Sequence, residues 1–80
     1  MKIPEVKKLV DNISMEELIT AEKALVAGKK LPVAVQGDDA GEQLSLILAA
    51  IFILERMQSE GLDFNTALRE YTRRVRESIS

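Results

Sequence analysis

The stretch LILAAIFIL, residues 46–54, sets nine apolar side chains in a row with no turn former among them. A chain carrying such a run must cover it. A helical membrane span needs about 20 apolar residues, and here polar residues bracket a run half that long, so the run reads as the middle of a core helix. The residues ahead of it support this. In "GDDAGEQLSLILAAIFILERM", Asp39 stands three residues before Glu42, the spacing of a capping box with Asp in place of Ser, and Asp38 adds negative charge at the positive helix end. The helix is expected from Ala40 to about Ser59, stopping at Gly61, with Leu62 placed for the apolar contact that accompanies such stops. On a wheel of about 100° per residue, Leu44, Ile47, Leu48, Ile51 and Leu54 line one side and Leu46, Ala49, Ala50, Ile53 and Met57 another. The helix is therefore expected to be buried nearly all round.

The remaining pattern is helical as well. "IPEVKKLVDNI" has Pro4 at a first-turn position and Ile3, Val6, Leu9, Val10 and Ile13 at helical spacing, predicting a short helix over about 4–11. Ser14 and Glu17 form a capping box for a helix from Met15 to about Ala27, with Ile13 stapling against Leu18 and Gly28 as its left-handed stop. Asp63 caps a last helix, Phe64 to about Ser78, whose inward stripe is Phe64, Leu68, Tyr71, Val75 and Ile79. Between the second and third helices, "LPVAVQG" alternates weakly. Leu31 to Val35 reads as an extended connector, or as half of a two-stranded ribbon shared between two copies.

The expected fold is all-α: one small helical domain over residues 1–80, with a long central helix, a C-terminal helical hairpin and one extended connector. Eighty residues lie near the lower limit for a self-sufficient core, which makes help from a second chain plausible.

Composition narrows the chemistry. The chain has neither Cys nor His, which removes thiolate and imidazole ligands, disulfides and the commonest general base. An enzyme is not expected, nor a cofactor. The net charge of −2 and pI near 5.1 give no overall attraction to phosphates or anionic lipid. The start, "MKIPEVKKLVDN", has no signal-peptide pattern, and a cytoplasmic location without membrane contact is the expectation.

Four polar features carry a functional reading beside a structural one. Asp38, Asp39 and Glu42 are the best oxygen ligands for a hard cation, yet they lack the alternation and distal Glu of a calcium loop, and capping already uses them. Arg69, Arg73 and Arg76 form a basic stripe on the last helix. It can contact phosphates or an acidic partner, but Glu70 is placed to pair with Arg74 and Glu77 with Arg73. Glu22 falls within the Met15, Ile19, Val26 stripe as a misfit, expected to tip out at its edge. Tyr71 reads as a packed ring. A ribbon-helix-helix fold has the right element order, but Pro32, Ala34 and Gln36 make a poor reading set and Asp38 and Asp39 repel phosphate.

The chain, above all "GDDAGEQLSLILAAIFILERM" and "ALREYTRRVRESIS", resembles a family of small uncharacterised bacterial proteins of similar length. The resemblance spans most of the chain and implies a compact intracellular helical protein without assigned activity. It carries over no site residues.

The functional expectation is a homodimeric protein-interaction or accessory module. Ser45, Phe52 and Ser59 recur every seven residues on the most polar side of the central helix, beside Arg56, where a second copy can approach. The alternative for Phe52 is packing under the first helix or the connector. The competing functional reading is a nucleic-acid-binding regulator using the arginine stripe or a ribbon. The chain itself is the expected partner, with another protein next.

Overall fold

The computed structural model describes residues 3–31 and 39–79. Four helices and no strand occur among them: α1 (Ile3–Asn12), α2 (Met15–Val26), α3 (Ala40–Glu60) and α4 (Phe64–Ile79). The fold is all-α. Of the connector Leu31 to Val35, only Leu31 lies within the described residues, half-buried and outside any helix. The ribbon and the reading set Pro32, Ala34 and Gln36 fall outside them, as does Asp38.

Each helix boundary has a local chemical cause. Ser14, in extended backbone, accepts the Glu17 N–H at 3.2 Å while the Ser14 N–H donates to the Glu17 carboxylate at 3.3 Å, so both halves of the capping box form. At the far end Gly28 takes φ +72°. Its N–H reaches the Leu25 carbonyl and the Lys29 N–H reaches that of Ala24, the paired bonds of a Schellman stop that a left-handed glycine makes cheap. Asp39 caps α3 by accepting the Glu42 N–H at 2.8 Å, and Gly61, at φ +66°, ends it. Asp63 caps α4 through the Thr66 N–H at 2.8 Å. Hydrogen bonding from the Thr66 side chain, and then from its N–H, holds the Asp63 carboxyl below its ordinary range.

The other three helices all pack on α3. Leu46, Ile47, Ala49, Ala50, Ile53 and Leu54 of α3 are buried, with Val6, Leu9 and Val10 of α1, Leu18 and Ala21 of α2 and Ala67 of α4. Four of these residues are alanines with no exposed surface. Where two helices meet at alanine, their backbones approach closely and the larger side chains on either side interlock.

Two expectations need correction. Leu48 is not buried; 43% of it is exposed, because α1, α2 and α4 cover the opposite arc of α3 and leave its own side open. The inward face of α2 is Leu18 and Ala21, with Leu25 half-buried, and Ile19 and Val26 face outward. Leu18 turns in together with Ile13, which packs on the same cluster, and this sets the rotation of the whole helix. Glu22 is half-buried at the edge. In α4 the expected stripe faces inward, with half-buried Phe64, Leu68 and Tyr71 packed on the core and Val75 half-buried, and Ala67 joins it as the fully buried member; of Ile79 only the backbone is described.

Candidate functional site

α3 and α4 form an antiparallel hairpin, since Arg56 meets Glu70 while Phe52, one turn earlier, meets Tyr71 and Arg74. The Arg56 guanidinium spans the pair with two parallel bonds, Nε to Glu70 Oε1 at 2.9 Å and a terminal nitrogen to Oε2 at 3.3 Å. A third bond reaches Glu60 at 3.4 Å. This corrects the expected Glu70–Arg74 pair. The planar fork of arginine matches a carboxylate edge across the hairpin, whereas Arg74 lies over the Phe52 ring, 5.5 Å from its centroid. The expected pairing of Glu77 with Arg73 is present at 3.7 Å, both side chains largely exposed.

Hydrogen bonding to Arg56 holds the Glu70 carboxyl below its ordinary range, against an opposing push from burial, and the same bonds raise the Arg56 pKa. The sign of the pH effect follows. Glu70's folded pKa is depressed, so its contribution is fully present above the unfolded value of about 4.3 and is lost as pH falls through the folded one. Urea denaturation between pH 6 and 3 should show wild type losing more stability than Glu70→Gln. Parallel acid limbs would show that the pair is energetically neutral.

Phe52 and Tyr71 stack obliquely, with centroids 5.4 Å apart and planes at 53°. Among the described residues Phe52 therefore packs on α4, through Tyr71 and Arg74; the connector of the alternative reading falls outside them beyond Leu31. Burial pushes the Tyr71 phenol pKa up. Phe52, Arg56, Glu70, Arg73, Arg74 and Glu77 line a shallow groove of about 450 Å³, and a second hollow of about 420 Å³ follows beside Thr66, Arg69, Glu70 and Arg73. Phe52, Arg56, Arg69 and Arg73 are thus brought into one region. Arg76 is exposed one turn beyond, while Ser45 and Ser59 are exposed towards opposite ends of α3.

The side of α3 away from the other helices is a separate surface. It holds Leu48 beside half-buried Ile51 and is bordered on the α4 side by Phe52, with Ser45, Glu55 and Ser59 exposed along it. Sequence reasoning missed Leu48 because an apolar residue inside an unbroken apolar run carries no signal of which way it points. Among the described residues, no three carboxylates converge to hold a metal ion, and no helix is long and apolar enough to cross a membrane.

No curated protein and no solved structure matches the chain. The model of a family of unknown function, DUF6952, matches residues 1–80, and the chain belongs to that family.

Proposed function

We propose that the protein is a non-catalytic interaction module that works as a homodimer, with the side of α3 that the other helices leave open in its interface. The observation that carries this is Leu48, 43% exposed in the middle of the most apolar segment. An exposed leucine by itself is ordinary. Here it continues into Ile51 and Phe52 on the helix around which the whole fold is built, so the apolar surface lies on a rigid element. The absence of His and Cys from the sequence, and the use of Asp39, Asp63 and Glu70 in caps and an ion pair, support a role without catalysis.

Sedimentation equilibrium at micromolar concentration is the test. Wild type should exceed its 8.9 kDa chain mass, and Leu48→Glu should weaken association by about tenfold or more, since it buries an unpaired charge. Leu48→Glu is a cleaner probe than Phe52→Asp, because Phe52 also holds Tyr71. A wild type that stays monomeric would sink the proposal.

The arginine stripe supports the competing nucleic-acid reading, with Arg69 and Arg76 exposed on α4. Two observations weigh against it: Arg73 shares its face with Glu77, and Arg56 is committed to Glu70. Binding to duplex DNA or RNA at physiological salt should be weak and indifferent to sequence. Tight sequence-dependent binding lost on Arg69→Glu would reverse the order of the two readings.

A further inference from the structure

The groove beside Phe52 and the hollow beside Thr66 share Glu70 and Arg73, so they run together along the α3–α4 seam. Along it Arg56, Arg69, Arg73 and Arg74 stand against Glu70 and Glu77, four positive charges to two negative, in a chain whose overall charge is −2. Positive charge is concentrated here against the sign of the whole molecule. Such a patch holds an anion only where its arginines are unspent.

Arg56 is committed to Glu70 and Glu60, and Arg73 has a loose contact with Glu77 at 3.7 Å. Arg69 and Arg74 form no ion pair among the described residues and act on Asp63 and Glu70 only through longer-range attraction. Both are exposed. Arg74 rests over the Phe52 ring, a contact that fixes its place without using its N–H donors.

From this groove we infer a docking site for an extended acidic segment of a partner protein, with one carboxylate in the hollow of Arg69 and Arg73 and the next in that of Arg73 and Arg74. The inference goes beyond the homodimer reading and does not depend on it, since the groove lies on the α4 side of α3 and Leu48 on the open side. The spacing fits. Arg69 precedes Arg73 and Arg74 by four and five residues, about 6–7.5 Å along the helix, and alternate side chains of an extended chain lie about 6.6 Å apart on one side. Each arginine fork can give a carboxylate two parallel N–H bonds.

A nucleic acid strand suits the groove less. Its phosphates are evenly charged and cannot skip Glu70 and Glu77, whereas a peptide can carry acids only opposite arginines. Nor is Phe52 waiting for a base, because Tyr71 and Arg74 of the same chain already supply its ring contacts.

The test is an NMR titration at physiological salt with an eight-residue peptide of alternating glutamate and glycine, blocked at both ends, beside its glutamine counterpart. The acidic peptide should bind with a dissociation constant of about 1 mM or tighter and shift the side-chain Nε–H signals of Arg69, Arg73 and Arg74; the glutamine peptide should do neither. Arg69→Gln and Arg74→Gln should each weaken binding about twofold to fivefold. Lys29→Gln removes the same charge from a residue that lines neither hollow. Because salt screens charges beyond about 8 Å, it should leave the constant unchanged. Glu77→Gln should tighten binding about twofold, since it removes a repelling carboxylate and frees Arg73. No binding of the acidic peptide, or an equal loss from Lys29→Gln, overturns the inference. So does tighter binding of an oligothymidylate of equal charge with the same dependence on Arg69 and Arg74, which would give the groove to nucleic acid.

Discussion

Ile53→Ala should lower the unfolding free energy by about 2–5 kcal/mol, the range for removing a fully buried branched side chain from a packed interior. Ile53 has no exposed surface and belongs to the cluster that includes Val6, Leu9, Leu18 and Ala67. That cluster is the one to which all three outer helices contribute. The surroundings have little freedom to collapse into the vacancy, because neighbouring Ala49 and Ala50 are small and fully covered. A chain of 80 residues has roughly 4–12 kcal/mol of stability in all, so the loss is a large part of the total. Urea denaturation followed by far-ultraviolet circular dichroism measures it. A loss below about 1 kcal/mol would mean that the centre of the molecule is loosely packed.

The second large effect comes from adding volume. Ala67→Leu should cost about 1–3 kcal/mol, although leucine is as apolar as the site and nearly as good a helix former as alanine. Ala67 is the α4 residue with no exposed surface, flanked by Phe64, Leu68 and Tyr71 on the same core, and a longer side chain there must push α4 off α3. The Arg56–Glu70 bonds at 2.9 and 3.3 Å lie across the same gap and would stretch with it. Two measurements separate packing from propensity: the denaturation midpoint, and the difference between acid limbs of Ala67→Leu with and without Glu70→Gln. Displacement of α4 predicts that the second difference shrinks. An unchanged midpoint would show that the hairpin has room which the buried alanine contradicts.

Both positions mark the limit of what the sequence discloses. Helix existence and ends were legible because caps act through neighbours in the chain: Ser14 with Glu17, Asp39 with Glu42, Asp63 with Thr66, and the two glycines at φ +72° and +66°. Ile53 was legible as core, since the central helix is apolar enough to bury much of its surface in any packing. Ala67 and Ala21 were not, because periodicity is carried by large side chains and an alanine is compatible with either face. The rotation of α2, the exposure of Leu48 and the choice of Arg56 as Glu70's partner depend on how separate helices meet, which no local window contains. The groove beside Phe52 is legible only afterwards. Its members come from two helices, and the Arg56–Glu70 contact joins residues fourteen apart.

The arrangement around α3 has a consequence for how the molecule comes apart. Each outer helix is anchored chiefly to α3, with the approach of Lys7 Nζ to the Phe64 ring, 5.3 Å from its centroid, as one direct link between α1 and α4. An outer helix can then fray from its dock while the others keep theirs, so α1, α2 and α4 belong to separate low-energy openings. α3 has no such partial exit. Its docked side comes free only when every dock is lost, so Leu46, Ile47, Ala49, Ala50, Ile53 and Leu54 are the last apolar residues to meet water and are shielded from joining other chains through partial opening.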